Sequence, residues 1–130
     1  MFKFLNIKSK VKQYSYKKSG TQSRIYPNII KNQWKATKPL EIIVSDMTHI
    51  RNKGINYEWP LMVDTFNNEI IGSALSRTAG DPKPYYKCLE DLLKDNKKTA
   101  PTILHTDQGA VYHSKAFAKA HENYNIIRSM

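Results

Sequence analysis

The chain has 130 residues, and its 40% content of hydrophobic residues predicts one globular domain, with or without an appendage, rather than a disordered segment. It contains neither an apolar run of about 18 residues nor a signal-peptide core near its start, so we expect no membrane span and a cytoplasmic protein. Its single cysteine, Cys88, excludes an internal disulfide and a pair of cysteine metal ligands.

The net charge of +10 is confined to the first 40 residues. They hold ten Lys and Arg residues and no acid, whereas residues 41–130 hold eleven of each sign. This separation predicts a basic arm (1–40) attached to a neutral domain (41–130), with nucleic acid as the partner of the arm. A solvated tail without a fixed partner is the alternative. The cations expected to contact DNA are Lys8, Lys10, Lys12, Lys17, Lys18 and Arg24.

The end of the arm is expected to be extended and to dock on the domain through Ile29, Ile30 and Trp34. Beyond it, short β-branched runs predict strands over residues 41–50, 57–66, 69–76 and 102–107, and from residue 124 onward. Helices are expected over 80–95, capped by Asp81, and over 114–123, capped by Ser114.

The predicted order is therefore β-β-β-α-β-α-β, an α/β fold with a mixed sheet. The first three strands are joined by short turns and should form an antiparallel meander. Because a helix separates the third strand from the fourth, the fourth can return parallel to the first and lie beside it.

Two acids stand out in this arrangement. Asp46 falls inside a strand that otherwise reads as buried, where a charge needs a partner or a metal. Asp107 falls at the carboxyl end of the fourth strand, where open α/β sheets place functional groups. If the first and fourth strands are neighbours, the two carboxylates face each other and can share Mg²⁺ or Mn²⁺. Alternatively, Asp46 pairs with a Lys and Asp107 caps the turn at Gly109.

The segments "VSDMTHI" and "HTDQGAVYHS", with "PNII" before them and "IIRSM" after them, resemble the integrase catalytic core of insertion-sequence transposases of the IS3 group. The resemblance runs from about Tyr26 to the end of the chain. It implies a ribonuclease H-like fold and DNA transposition and integration by phosphoryl transfer. The basic start, "LNIKSKVKQYSYKK", is similar to the region that follows the DNA-binding helices of these transposases.

By this resemblance, Asp46 and Asp107 match the first two acids of an Asp-Asp-Glu triad that holds two Mg²⁺ ions. One ion would activate the attacking water or 3′-hydroxyl, and the other would stabilise the leaving oxygen. His105 and Asp107 are two residues apart on a strand and so share a face, as Thr48 and Asp46 do. His105 could tune the site or pack in the core.

The third acid is where the chain departs from the family. In the family a Glu follows the second Asp by roughly 35 residues, whereas 23 residues follow Asp107. Glu122 is the one acid among them, and because it belongs to the helix before the fifth strand we do not assign it this role. We therefore expect a C-terminally incomplete core with little or no strand-transfer activity.

Three functions remain open from the sequence. The first is a transposase catalytic core, truncated or complete, that acts on transposon ends and target DNA as a homo-oligomer. The second is a non-catalytic DNA-binding or regulatory remnant that associates with an intact transposase. The third is an unrelated basic α/β binding module in which both Asp residues are structural.

Overall fold

The protein is described here by a computed structural model over residues 25–95 and 100–130. Its strands form one sheet in the order β3-β2-β1-β4-β5. The strands are β1 (Ile42–Asn52), β2 (Ile55–Asp64), β3 (Ile70–Ser73), β4 (Thr102–Thr106) and β5 (Ile126–Ser129). The helices are α1 (Lys83–Asp95), α2 (Ala110–His113) and α3 (Lys115–Ala120).

The predicted topology is confirmed. β1 pairs antiparallel with β2 and parallel with β4, so β4 lies beside β1 as the crossover through α1 requires. Asp81 accepts a hydrogen bond from the Lys83 N–H at the start of α1, at 3.0 Å. The first helix is therefore capped as the sequence predicts.

The second predicted helix is present as α3 but is shorter than expected, and a separate short helix, α2, precedes it. Ser114 has extended backbone angles (φ −65°, ψ 144°), which separate α2 from α3. Its hydroxyl accepts a hydrogen bond from the Phe117 N–H at 3.1 Å, so Ser114 is an N-cap as expected, and α3 ends at Ala120. The helix α2 occupies residues that the sequence left as a loop.

The β1–β2 hairpin is longer and tighter than predicted. Its register runs to Asn52↔Ile55, leaving Lys53 (φ 48°) and Gly54 (φ 80°) as a two-residue turn. Positive φ at both turn positions matches the twist of the flanking strands. Because β4 pairs only with Ile42–Ser45, the distal half of the hairpin extends beyond it.

The main core lies between the sheet and α1, α2 and α3. It contains Ile43, Met62, Tyr85, Cys88, Leu89, Leu92, Leu104, Tyr112 and Phe117. Because successive side chains of a strand point to opposite faces of the sheet, Ile42 lies on the other face from Ile43. There it packs in a smaller cluster with Ile30, Ala36 and Ile103. Of the three predicted docking residues, only Ile30 is buried. Ile29 and Trp34 are 40% and 46% exposed.

Candidate functional site

The β1–β4 pairing brings the two predicted acids to one edge of the sheet. Parallel pairing runs from Ile42↔Ile103 to Ser45↔Thr106, and Asp46 and Asp107 are the residues that directly follow the last pair. Because the strands are parallel, both acids lie at the same end of the ladder. Two residues 61 apart in sequence thus lie at the same end of adjacent strands.

Asp46 is not the buried charge that the sequence suggested. β1 is buried at Ile42, Ile43 and Ser45, but it leaves β4 after Ser45, and Asp46 is exposed. Its Oδ1 accepts a hydrogen bond from the Met47 N–H at 2.8 Å. Because solvent reaches this carboxylate, its charge does not require a buried partner.

The buried acids of the sheet are elsewhere and have structural roles. Asp64 is 1% exposed, and its two oxygens accept hydrogen bonds from the N–H groups of Leu40 and Phe66. Glu58 is also buried and accepts the N–H of Gly80 with both oxygens. These bonds satisfy the carboxylates internally and exclude them as a ligand site.

Asp107 makes the turn that the sequence offered as its structural alternative. Its Oδ1 accepts the N–H of Gly109 at 3.0 Å. A Cβ on Gly109 would lie 2.9 Å from that same oxygen, so the glycine makes room for the carboxylate. The turn uses one oxygen of Asp107, and within the described ranges nothing hydrogen-bonds to Oδ2, which leaves it free to act as a ligand.

The negative charges of both acids affect the Tyr85 hydroxyl. The pKa of Tyr85 is raised above its usual value, first by burial and then by the negative charges of Glu58, Asp107 and Asp46. The ion pairs of the described ranges, Lys87–Asp91 and Lys94–Asp91, are both on α1. Asp46 and Asp107 thus form an acidic site without a neutralising Lys or Arg in the part of the chain that is described.

The donor chemistry of this pair fits a hard divalent cation. Both side chains offer carboxylate oxygen, and Mg²⁺ binds proteins through one or two carboxylates and completes its shell with water or phosphate. Residues 25–95 and 100–130 contain no group of three His, Cys, Asp or Glu residues that could hold a metal. Among the described residues, these two acids therefore do not belong to a larger cluster of potential metal ligands.

The other predicted site residues are not assembled around the pair. His105 Nδ1 lies 2.9 Å from Ser129 Oγ, and its ring meets Trp34 edge-on at 5.2 Å. Burial lowers the pKa of His105, as befits a packed side chain. Thr48 and Glu122 are both exposed, on β1 and after α3 respectively. The six arm cations, from Lys8 to Arg24, lie outside the described residues.

Sequence reasoning missed a buried polar cluster directly behind the pair. Ser45, Thr106, Tyr112 and Arg128 are each at most 5% exposed. Tyr112 and Arg128 belong to "HTDQGAVYHS" and "IIRSM", two of the segments that carry the family resemblance, but neither residue was predicted to have a role. An Arg within an apolar strand was the available signal, since buried Arg residues need a reason.

No helix in the described part of the chain is long and apolar enough to cross a membrane.

Burial raises the pKa of the one cysteine, Cys88, to about 11. Its thiol is therefore protonated at neutral pH and unsuited to nucleophilic chemistry.

Sequence comparison matches residues 36–130 to the integrase core domain family. InsK of Escherichia coli K12, from insertion sequence element IS150, is 32% identical over 126 residues, which are 93% of this chain and 42% of InsK. The transposase for insertion sequence element IS904 of Lactococcus lactis is 30% identical over 117 residues, covering 87% of this chain and 45% of that protein. The chain thus spans about half the length of these curated relatives.

Solved structures share the fold at low sequence identity. A chain of the simian T-cell lymphotropic virus intasome, in complex with PP2A regulatory subunit B56 gamma, aligns with a TM-score of 0.62 and 21% identity, covering 86% of this chain and 38% of that chain. The HTLV-2 integrase catalytic core with magnesium, in a trimeric form, gives 0.59 and 22%, covering 72% and 61%. The Mos1 transposase catalytic domain with Raltegravir and Mn gives 0.57 and 15%, covering 70% and 49%.

Proposed function

The chain belongs to the integrase core domain family and is a catalytic core of the transposase and integrase type, and from this premise we propose that Asp46 and Asp107 are its metal-binding carboxylates. The proposal rests on one observation, the position of both acids directly after the Ser45↔Thr106 pair of two parallel strands. A divalent cation between them would offset the repulsion of two adjacent negative charges.

Each residue contributes one fixed and one available oxygen. The backbone N–H groups of Met47 and Gly109 hold Oδ1 of Asp46 and of Asp107, respectively, which restricts how each carboxylate can turn. Bound Mg²⁺ or Mn²⁺ supplies charge stabilisation at phosphate oxygens and lowers the pKa of water. The proposed reaction class is phosphoryl transfer on DNA.

DNA is the proposed substrate, as transposon ends and target. Besides the six arm cations, the distal hairpin supports this proposal. Arg51 and Lys53 are exposed at its tip, with His49 on the same ribbon, and the nearby acid Glu58 is buried and already hydrogen-bonded. A two-stranded ribbon is narrow enough to enter a DNA major groove.

The proposed protein partner is a second copy of this chain or an intact transposase. Both edge strands of the sheet expose large apolar side chains, Ile70 at 55% on β3 and Ile127 at 40% on β5. Exposed apolar edge strands favour association. The HTLV-2 integrase cores were solved in dimeric and trimeric forms, which agrees with this proposal.

A non-catalytic role in DNA binding is the second candidate, and it is favoured because residues 25–95 and 100–130 contain no group of three potential metal ligands. Under it, the chain binds DNA and metal but transfers no strand. Metal binding and DNA binding are therefore the first properties to measure, and strand transfer on a labelled transposon end separates the two candidates.

The decisive experiment is a Mn²⁺ titration followed by electron paramagnetic resonance. The double change Asp46→Asn and Asp107→Asn should weaken binding by at least about tenfold, since it removes both anionic ligands. Glu69→Gln with Glu90→Gln is the matched control, because it removes two exposed negative charges elsewhere and should leave Mn²⁺ affinity unchanged. Equal Mn²⁺ affinity in the Asp variant and the wild type would refute the metal pair.

A further inference from the structure

A chain of buried hydrogen bonds connects the residues that immediately precede the two acids. Ser45 precedes Asp46 and Thr106 precedes Asp107, and both side chains point into the protein, 5% and 1% exposed. Tyr112, on α2, contacts the first, and Arg128, on β5, contacts the second. Four elements that are distant in sequence therefore meet behind the site.

The Tyr112 branch has a defined direction. Tyr112 Oη lies 2.8 Å from Ser45 Oγ, across 67 residues of sequence. Ser45 Oγ donates its one proton to the Leu61 carbonyl at 3.0 Å. The Tyr112 hydroxyl must therefore be the donor to Ser45, because a serine hydroxyl has a single hydrogen. This bond ties α2, which follows Asp107, to the strand that carries Asp46.

The Arg128 branch ties the same loop to β4 and β5. Arg128 Nη2 donates to Thr106 Oγ1 at 3.2 Å and to the Tyr112 carbonyl at 3.3 Å. Thr106 Oγ1 in turn donates to the Asp107 carbonyl at 3.1 Å. One guanidinium thus spans the loop that carries Asp107, holding it just before that residue and again at Tyr112.

This arrangement carries an energetic cost. Arg128 is 5% exposed, pairs with no carboxylate of the described ranges, and leaves its buried Nε without an acceptor there. The rings of Tyr26 and Phe117 lie 4.9 and 5.0 Å from its guanidinium carbon and offset part of the desolvation. A buried, incompletely paired cation is a poor way to gain stability, so its value should lie in the geometry that it imposes.

We propose that Tyr112 and Arg128 are positioning residues that hold the Ser45–Asp46 and Thr106–Asp107 segments at a fixed separation, so that both carboxylates are ordered before a divalent cation binds. This inference rests on the proposed function of the Asp pair. Groups that orient ligands from behind typically change metal affinity by about 10- to 100-fold when removed.

Tyr112 also packs in the core, with its ring edge-on to Tyr85 at 5.3 Å and to Phe117 at 5.4 Å. Tyr112→Phe keeps those ring contacts and removes only the hydroxyl. Tyr86→Phe is the matched control, because Tyr86 also packs against Phe117, at 5.9 Å, but its hydroxyl makes no hydrogen bond to the residues described.

The test measures Mn²⁺ affinity of the full chain by electron paramagnetic resonance, with the folded fraction of each variant checked by circular dichroism. Tyr112→Phe should weaken Mn²⁺ binding by about tenfold, and Tyr86→Phe should not. Ser45→Ala removes the other partner of the same bond, so the double variant should bind no more weakly than the weaker single variant. A role in stability alone would move the unfolding transition and leave the affinity of the folded protein unchanged.

The two proposals fail in different ways. If the Asp46→Asn, Asp107→Asn variant loses Mn²⁺ binding while Tyr112→Phe and Ser45→Ala keep wild-type affinity, the positioning role is overturned and the metal pair stands. If the Asp variant keeps its affinity, both proposals are overturned.

Discussion

At the scale of single residues, the site is defined by contrasts in burial. Asp46 and Asp107 are exposed and each bonds one backbone N–H, whereas the residues just before them are buried in a polar network. The two acids are therefore exposed to solvent, whereas the buried hydrogen bonds are made by the residues that precede them in the chain.

His121 gives this network a pH dependence. It is 6% exposed, and burial, followed by the adjacent Arg128 charge, lowers its pKa from 6.5 to about 4. The unfolded chain binds this proton more tightly, so the stabilising contribution is complete above pH 6.5 and is lost as pH falls through 4. The free energy of unfolding should fall by about 3 kcal/mol over that window, as measured by urea titrations at several pH values.

His121→Asn isolates this contribution. His121 Nε2 lies 3.4 Å from Arg128 Nη1. An amide oxygen can accept a hydrogen bond from Arg128 but does not titrate, so the variant should lose this part of the pH slope. The lowered pKa of His105 acts in the same direction and is present in both proteins. Parallel stability profiles for the wild type and the variant between pH 7 and 4 would contradict the assignment.

At the scale of elements, the contact of α1 with β3 depends on a missing side chain. A Cβ on Gly72 would lie 2.7 Å from the Cys88 carbonyl oxygen and 2.8 Å from the Cys88 Cα. Both are backbone atoms of the helix, so they cannot rotate away. Gly72 thus sets the distance at which α1 covers the sheet and closes the core around Leu89 and Leu92.

Gly72→Ala should therefore destabilise the protein by about 1–3 kcal/mol, because α1 must move away from β3 and loosen its core contacts. Chemical denaturation measures the change. Ser73→Ala, at the next residue, is the control. It removes an exposed hydroxyl that accepts a bond from Trp59 and should cost under about 1 kcal/mol. Equal stability of Gly72→Ala and the wild type would show that the helix can shift without cost.

At the scale of the whole molecule, charge and fold are separated along the chain. The neutral residues 41–130 form the sheet and carry both acids, and the net charge of +10 belongs to the first 40 residues. A cationic segment adds affinity for DNA without sequence preference. We therefore expect substitutions in the first 40 residues to change DNA binding, and substitutions of Asp46 or Asp107 to change metal binding.

Replacing the six arm cations with Gln should weaken DNA binding and reduce its dependence on salt. These cations are Lys8, Lys10, Lys12, Lys17, Lys18 and Arg24. The slope of log affinity against log salt should become shallower by up to about 5, because each lost phosphate contact removes about 0.9. Fluorescence anisotropy with duplex DNA from 50 to 200 mM salt (roughly the range in which such contacts are titrated) measures this.

The control replaces six exposed cations of the domain, Arg77, Lys83, Lys87, Lys94, Lys115 and Lys119, and so makes the same change in net charge. A slope that changes equally in both variants would indicate a general charge effect rather than a DNA-contacting arm. Mn²⁺ affinity should be unchanged in the arm variant.

Structural features that depend on residues close together in the sequence could be predicted. Asp81 and Ser114 were recognised as caps because an N-cap bonds to an N–H two or three residues away. The helix α2 was missed, since its four residues, Ala110–His113, are too few to show a helical periodicity. The exposure of Asp46 was also missed, because a run of apolar residues does not show where a neighbouring strand ends.

The sequence by itself determined the charge separation, the order of strands and helices and the family resemblance, and it singled out the two acids for which we propose a metal-binding role. These follow from composition, short-range periodicity and motif residues. Only the tertiary structure decided that Ser45 pairs with Thr106, that Asp46 and Asp107 directly follow this pair, and that Tyr112 and Arg128 contact Ser45 and Thr106. Such pairings join residues tens of positions apart, and they are selected by burial summed over the whole core rather than by any local pattern.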